Sequence, residues 1–149
     1  MEINEFINEE LIKLNLKSQS KQAVIEELAA VAAAAGVITD QQQIITAALE
    51  REAKGTTGVG KGVAIPHVKS SAVKKPAVIF GRSQSGIDYQ SMDEKLSYLF
   101  FLITVPENSH DQHLKLLAQL SRNLVHADFR EKLMAAQNKT EVIDVLTNH

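Results

Sequence analysis

The 149-residue sequence contains no cysteine. This absence excludes disulfides, thiolate zinc sites and thiol nucleophiles, and a reducing cytoplasm is the simplest compartment for such a chain. Basic residues are also few, since 16 lysines and arginines stand against 18 aspartates and glutamates and the formal net charge is -2. Binding to nucleic acids or anionic membranes normally requires a basic surface, so neither partner is expected.

Long apolar runs are absent as well. A helix needs roughly 20 apolar residues to cross a bilayer, and no run here approaches that length; YLFFLITV, for example, stops at Pro106. The N-terminal MEINEFINEELIK is acidic and leads into no apolar segment, unlike a secretory signal. We therefore expect a cytoplasmic protein with no direct membrane insertion. A chain of this length with 44% hydrophobic residues suits one domain over residues 1–149.

The N-terminal third carries the patterns of a short strand and two helices. The segment NEELIKLNLKS alternates loosely and predicts the strand. Ser20 is a suitable N-cap for a helix that ends at Gly36. A second helix is expected to begin with a capping box at Thr39 and Gln42 and to end at Gly55. The apolar stripe of the first helix comprises Val24, Leu28 and Val31.

The rest of the chain alternates extended segments with helices. GVAIPH, PAVIFGRS and LSYLFFLITV are predicted strands, and the last is apolar at nearly every position, as in a strand covered on both faces. Ser109 and Gln112 have capping-box spacing ahead of HLKLLAQLSRNLV, and two shorter helices, DFREKLMAAQ and TEVIDVLTN, follow. This order predicts an α/β domain with a mixed β-sheet packed between α-helices.

The glycine-rich segment 55–62, GTTGVGKG, comes within one position of a nucleotide-binding P-loop, G-x-x-x-x-G-K-[ST]. A P-loop requires a strand before it and a helix after it, so that helix N–H groups hold the phosphates. Here the preceding ALEREAK resembles a helix end, Pro66 is incompatible with a helix interior, and Gly62 replaces the magnesium-binding hydroxyl. The pattern favours a set of glycine turns, and a nucleotidase or kinase, which would lose ATP binding on Lys61→Ala, is the weakest alternative.

Histidine offers both a neutral and a charged form near neutral pH, so the five histidines are candidate functional residues. His67 follows Pro66 directly, which stiffens its backbone at the end of a predicted strand. Edges of α/β sheets commonly carry functional side chains. An ordinary loop histidine explains the same pattern equally well.

His113 falls on the apolar stripe near the start of the predicted helix that carries Leu116, Leu117 and Leu120. A hydrogen-bonded core histidine is the simpler interpretation, and a histidine leaning over a site at the sheet edge is the functional one. His110 and His113 also have one-turn spacing suited to a metal, but no second pair of ligands is evident nearby.

Arg51 ends the second predicted helix just before the glycines. Arginines at this position usually offset the helix dipole. A guanidinium beside a glycine loop and a histidine also suits the neutralisation of a phosphoryl group.

Three segments together, EREAKG, TTGVGKGVAIPH and QHLKLLAQLSRNL, strongly resemble the enzyme IIA (EIIA) domains of the fructose–mannitol class of the bacterial phosphoenolpyruvate-dependent phosphotransferase system (PTS). The resemblance runs from about Ser20 to Leu146, and the G-[IV]-A-[IV]-P-H core is specific to that family. It implies the mannitol/fructose-type EIIA fold and a type-2 EIIA domain. It implies no cofactor and no metal.

The resemblance also implies roles for particular residues. In these domains the histidine after A-[IV]-P accepts a phosphoryl group from the phosphocarrier protein HPr and passes it to a cysteine of a IIB component. That histidine corresponds to His67, and His113 and Arg51 match positions that support the phosphoryl group. Further hydroxyl donors are expected at Thr56, Thr57 and Ser83, and an apolar docking rim is expected at Val63, Ile65 and Val68.

Two physiological roles stay open. The chain is expected to act in sugar uptake as a phosphotransferase with a phosphohistidine intermediate, for a fructose-like sugar or a sugar alcohol. The alternative is a regulatory relative of the nitrogen-related IIA type, whose phosphorylation state controls partner proteins. Neighbouring genes for IIB and IIC components would favour transport.

Overall fold

The computed structural model describes residues 3–109 and 111–148, with Gln112 and His113 described by their backbone alone. The described strands are β1 (Ile12–Lys13), β2 (Gly58–Gly60), β3 (Val63–Ala64), β4 (His67–Ser70), β5 (Ala77–Ile87) and β6 (Ser97–Pro106). The helices are α1 (Lys21–Ala34), α2 (Gln41–Ala53), α3 (Gln112–Leu124), α4 (Ala127–Ala135) and α5 (Lys139–Thr147), preceded by short 3-10 turns at Ile3–Glu5 and Glu9–Leu11. The predicted α/β class with a mixed sheet is confirmed.

Strand β6 is the centre of the sheet. It pairs antiparallel with β5 on one side and parallel with β3 and then β4 on the other, and the strand order is β1-β5-β6-β3-β2 with β4 also on β6. Residues 99–105 of β6 are buried without interruption, which requires cover on both faces. Helix α1 packs on α2, and α3 and α5 pack on α4, so two helical groups supply that cover. No helix in the described part of the chain is long and apolar enough to span a membrane.

Helix α1 forms as the sequence predicts. The Ser20 hydroxyl accepts a hydrogen bond from the N–H of Ala23 at 3.2 Å, and Gly36 adopts a φ of +78° just beyond the last turn. Val24 and Leu28 are fully buried. The helix approaches β5 closely at Gly81, where a Cβ atom would lie 2.8 Å from Leu28 Cδ2. A side chain at this position would require the leucine side chains of Leu28 and Leu16 to shift.

The start of α2 differs from the prediction. Its N-cap is Asp40, whose carboxylate accepts from the N–H of Gln43 at 3.1 Å, so the expected box at Thr39 and Gln42 does not form. The Thr39 hydroxyl donates instead to the carbonyl of Ala72 at 3.2 Å. The Thr39 side chain, which the local spacing assigns to the helix start, therefore binds a carbonyl distant in sequence instead.

Two further local predictions need correction. The expected strand NEELIKLNLKS instead contains a 3-10 turn at Glu9–Leu11, the two-residue β1 and irregular backbone over residues 14–18. Helix α3 begins at Gln112 after Asp111, so Gln112 is the first helical residue. A capping box needs its glutamine at the third helical position, so the expected Ser109–Gln112 box is wrong.

Candidate functional site

His67 is the first residue of β4, at a break in the parallel pairing along β6. Strand β3 pairs with Leu99 and Phe100, and β4 resumes the pairing with His67 opposite Ile103. Between them lies Pro66, which has no N–H to donate and whose carbonyl accepts from the N–H of Ile103 at 2.9 Å. The single predicted strand GVAIPH is therefore two strands, and His67 begins the second with a half-buried side chain.

The imidazole of His67 is oriented by its own backbone. Its Nδ1 lies 3.1 Å from the carbonyl oxygen of Ile65. A carbonyl oxygen can only accept a hydrogen bond, so Nδ1 carries the proton in this geometry. The neutral ring then has its lone pair on Nε2, and Nε2 is the nucleophilic nitrogen.

One hydrogen bond joins α2 to β4 directly, and a second joins the segment after α2 to the segment before β4. Gln43 Nε2 donates to Ser70 Oγ at 2.8 Å, which joins the first turn of α2 to the last residue of β4. Just beyond α2, the carbonyl of Thr57 accepts from the N–H of Ile65 at 2.9 Å. The C-terminal end of α2 and the start of β4 therefore lie at the same end of the two packed elements.

Arg51 lies in the last turn of α2. From Gln43 to Arg51 the helix rises about 12 Å, and from Ser70 back to His67 the strand spans about 10 Å. The backbones of Arg51 and His67 therefore lie toward the same end of the α2–β4 layer. Arg51 Nη1 donates to the carbonyl of Gly55 at 2.8 Å. The guanidinium therefore closes the turn that enters the glycine segment.

The glycine segment is a tight hairpin and not a phosphate cradle. Residues 58–60 form β2, which pairs antiparallel with β3. Gly60, Lys61 and Gly62 have φ angles of +95°, +59° and +79°. The N–H of Lys61 donates to Asp93 Oδ2 at 3.0 Å, and this bond, with one from the N–H of Lys95, lowers the pKa of Asp93. The flanks are helix α2 and strand β3, as predicted, and not the strand and helix of a P-loop.

His113 is the second residue of α3, and this helix packs against β6. Its side chain, like all of His110, lies outside the described residues, so the predicted core-facing orientation and the H-x-x-H pair stay predictions. Along the same helix Leu116 and Leu120 are fully buried. Elsewhere in the described part, no three histidine, aspartate or glutamate side chains are grouped so that they could hold a metal ion.

The expected hydroxyl donors need correction. Thr57 is buried, and its hydroxyl donates to the carboxylate of Glu52. Ser83 is buried in β5 and accepts from the N–H of Gly86 at 3.0 Å. Thr56 Oγ1 accepts from Lys21 Nζ at 3.2 Å. All three hydroxyls have structural partners, and two of them are closed to solvent.

Glu52 is not among the predicted site residues. It is 8% exposed although it is charged. A signal was present, because Glu52 follows Ile45 and Ala48 at helical spacing and so falls on the buried face of α2. A charged residue on such a face requires a buried partner.

The surface near the site is apolar, but not at the residues predicted. The expected rim residues are each less than 5% exposed: Val63, Ile65 and Val68. These three side chains point into the core, so they form no rim. Exposed apolar side chains in the hairpin and along α3 include Val59 at 51%, Leu114 at 56% and Val125 at 57%.

Neither of two cavities near the hairpin contains the histidine. One of about 580 Å³ lies between Lys61 and α4, and a groove of about 310 Å³ runs between Val59 and Val125. The lining of both excludes His67 and Arg51.

Comparison with known proteins gives a consistent result. A model of the family described as "Phosphoenolpyruvate-dependent sugar phosphotransferase system, EIIA 2" matches residues 5–149. The chain is 47% identical over 137 residues to the "PTS system fructose-specific EIIA component" of Haloferax volcanii, which covers 92% of this chain and 89% of that protein. It is 38% identical over 148 residues to a "Nitrogen regulatory protein" of Bradyrhizobium diazoefficiens, covering 98% of this chain and 95% of the relative.

Some relatives are much longer. The chain is 39% identical over 149 residues to the "PTS system fructose-specific EIIABC component" of Bacillus subtilis and spans 24% of that protein. Among solved structures, Nitrogen Regulatory Protein IIA-Ntr from Neisseria meningitidis matches with a TM-score of 0.89 and 30% identity, covering 97% of this chain and 99% of the other. Enzyme IIAMTL from Escherichia coli, solved in complex with phosphorylated enzyme IIBMTL, has a TM-score of 0.82 at 21% identity, covering 96% and 98%. The last likeness concerns the fold alone.

Proposed function

Because the chain belongs to the EIIA type 2 family of the phosphoenolpyruvate-dependent sugar phosphotransferase system, we propose that His67 is the residue that carries the phosphoryl group. One observation supports this most directly: the Ile65 carbonyl holds the proton on Nδ1 and leaves Nε2 as the nucleophile. We take residues 1–149 as one EIIA domain that acts in the cytoplasm.

The reaction follows from that tautomer. Nε2 of His67 attacks phosphorus in line, and the bond from phosphorus to the HPr donor atom breaks as the new P–N bond forms. The ring gains positive charge, and the Nδ1–H bond to the Ile65 carbonyl becomes a stronger, charge-assisted one. The same steps in reverse deliver the phosphoryl group to the next acceptor.

Arg51 and His113 are the proposed supports of the transferring group. Phosphoryl transfer needs positioning and positive charge around the equatorial oxygens more than covalent chemistry. A guanidinium offers a planar set of donors that matches those oxygens. Turning Arg51 toward the phosphoryl group would exchange its bond to the Gly55 carbonyl for bonds to phosphate. No metal or cofactor is needed for this step.

The proposed donor is HPr, and the proposed acceptor is a cysteine of a IIB component that serves uptake of a fructose-like sugar or a sugar alcohol. The relatives named as fructose-specific components support the sugar class. The IIAMTL complex with phosphorylated IIBMTL supports a IIB partner. Exposed Val59, Leu114 and Val125 supply an apolar surface for such transient docking.

A regulatory role is the second candidate. It is favoured by the likeness to the Bradyrhizobium nitrogen regulatory protein and to the Neisseria IIA-Ntr structure. Adjacent genes for IIB and IIC, and transfer from this chain to a purified fructose-type IIB, are expected for transport. Absence of both would favour regulation.

Labelling with radioactive phosphoenolpyruvate, enzyme I and HPr tests the assignment. The wild-type chain is expected to take up label that is acid-labile and base-stable, as for a phosphoramidate. His67→Ala is expected to take up none, whereas the matched variant His126→Ala, at an exposed histidine, keeps full labelling. Undiminished labelling of His67→Ala would show that another residue carries the group.

A further inference from the structure

A buried ion pair joins the start of α1 to the end of α2. Lys21, the first residue of α1, places Nζ 3.0 Å from Oε1 of Glu52 in the last turn of α2. The side chains are 14% and 4% exposed. Lys21 Nζ also lies 4.7 Å from the centroid of the Tyr89 ring, where the aromatic face attracts a cation.

The carboxylate of Glu52 is bound from the other side by Thr57. It accepts from the N–H of Thr57 at 3.0 Å and from the Thr57 hydroxyl. Since that hydroxyl donates to Glu52, it accepts from the O–H of Tyr89, 3.2 Å away. Thr57 is therefore fixed through both its backbone and its side chain.

From Thr57 the hydrogen bonds continue to the catalytic histidine. The Thr57 carbonyl accepts from the N–H of Ile65 at 2.9 Å, and the Ile65 carbonyl accepts from Nδ1 of His67 at 3.1 Å. The series Lys21, Glu52, Thr57, Ile65, His67 thus links a buried charge to the ring nitrogen that sets the tautomer.

We propose that Glu52, held by Lys21, is a positioning residue for phosphoryl transfer. Its bonds fix Thr57, and Thr57 in turn holds Ile65 through the Ile65 N–H. The Ile65 carbonyl then keeps the proton of His67 on Nδ1 and the lone pair on Nε2. A buried ion pair adds little net stability compared with an apolar pair of the same volume, but it selects one geometry. The proposal rests on the proposed function of His67, and it adds a residue that never touches the phosphoryl group.

The test measures the tautomer and the transfer rate separately. Long-range ¹H–¹⁵N spectra of histidine-labelled protein are recorded near pH 8.5, above the usual imidazole pKa of about 6.5. Wild-type His67 is expected as the Nδ1–H tautomer. Glu52→Gln is expected to populate the Nε2–H tautomer and to slow single-turnover transfer from phospho-HPr by about 10- to 100-fold, because misplacement of a reacting group has costs of this size. The HPr concentration for half-maximal rate should stay unchanged, since docking residues are intact.

Two further variants keep the result interpretable. Glu50→Gln removes an exposed carboxylate from the same helix and is expected to behave as wild type in both measurements. Lys21→Gln removes the cation that holds the Glu52 carboxylate but keeps Glu52 and Thr57. It is expected to shift the His67 tautomer and the transfer rate in the same direction as Glu52→Gln. It replaces Glu52→Gln as the test if a urea titration shows that Glu52→Gln folds poorly.

The outcomes separate this proposal from the assignment of His67. A wild-type tautomer in both folded Glu52→Gln and folded Lys21→Gln would overturn the positioning role, even with slower transfer. Absence of phosphorylation in the wild type would instead overturn the function proposed for His67, and the tautomer would still decide whether Glu52 orients the ring.

Discussion

Gly58 lies directly against Ser91. A Cβ atom at Gly58 would be 2.4 Å from Ser91 Oγ and 2.9 Å from Ser91 Cα. Nearby, the N–H of Met92 donates to the Gly58 carbonyl at 2.9 Å. The loop between β5 and β6 thus closes on the glycine hairpin, and the absence of a side chain at Gly58 permits that contact.

Gly58→Ala is expected to destabilise the protein by about 1–3 kcal/mol through this overlap. Urea unfolding measures the loss. In a Ser91→Gly background the loss should be smaller, because the Oγ atom nearest the new methyl group is gone. Equal losses in the two backgrounds would contradict the proposed contact.

Arg82 is a buried cation held by carbonyl groups of two distant segments. Arg82 is 4% exposed, and its Nε donates to the Leu14 carbonyl at 3.2 Å. Its Nη1 donates to the carbonyls of Leu133 at 3.0 Å, Met134 at 3.3 Å and Ala136. Burial lowers the pKa of the guanidinium. The positive charge faces the C-terminal end of α4, where the helix dipole favours it.

Arg82→Met is expected to cost about 3 kcal/mol of unfolding free energy, because it leaves several buried carbonyls without donors. Arg82→Lys should recover less than half of that, since an ammonium group cannot bridge both segments. Arg122→Met, at an exposed arginine in the last turn of α3, is the control and should change little. Similar urea midpoints for Arg82→Met and Arg122→Met would contradict this account.

Tyr89 makes the stability sensitive to alkaline pH. Burial, and secondly the charge of Glu52, raise the pKa of its phenol. Above the unfolded-state pKa of about 10, the unfolded chain loses the proton and the folded chain keeps it. The contribution of the protonated Tyr89 phenol to the free energy of unfolding is therefore fully present below that pH and is lost as the pH rises further.

Tyr89→Phe is expected to be less stable than wild type by about 1 kcal/mol near pH 8, because it lacks the bond to Thr57. Its deficit should shrink between about pH 9 and about pH 11, since wild-type stability falls by up to about 1.4 kcal/mol per pH unit above the unfolded pKa. Urea titrations at several pH values measure both slopes. Parallel slopes for the two proteins would exclude a raised Tyr89 pKa.

Arg51→Ala and His113→Ala are each expected to slow phosphoryl transfer by about 10²-fold, the usual effect of removing one donor to a developing charge. Unfolding midpoints should stay near the wild-type value. Arg122→Ala serves as a surface-arginine control in the same quench-flow experiment. A normal transfer rate in either variant would remove that residue from the proposed site.

Much of the fold could be predicted because its signals are local. Ser20 and Gly36 bound α1 by capping chemistry, and the continuous apolar run of β6 marks a strand covered on both faces. Pro66 similarly indicates extended backbone before His67. Each of these features depends on residues that are neighbours in the chain.

The features that the sequence did not reveal depend on distant partners. Thr39 was matched to a helix start, yet it binds Ala72, 33 residues away. Glu52 and Lys21 pair across 31 residues, and no periodicity connects them. Thr57 was expected to face the phosphoryl group, but a buried carboxylate takes its hydroxyl. Partners distant in sequence determine which hydrogen bonds such side chains make, and local spacing cannot predict those partners.

The most direct measurement for the central claim is the ³¹P–¹⁵N coupling in phosphorylated protein with ¹⁵N-labelled histidines. The bond between Nδ1 of His67 and the Ile65 carbonyl predicts one phosphoryl group, coupled to Nε2 of His67 and to no other ring nitrogen. Coupling to Nδ1 of His67, or to any nitrogen of another histidine, would contradict the account.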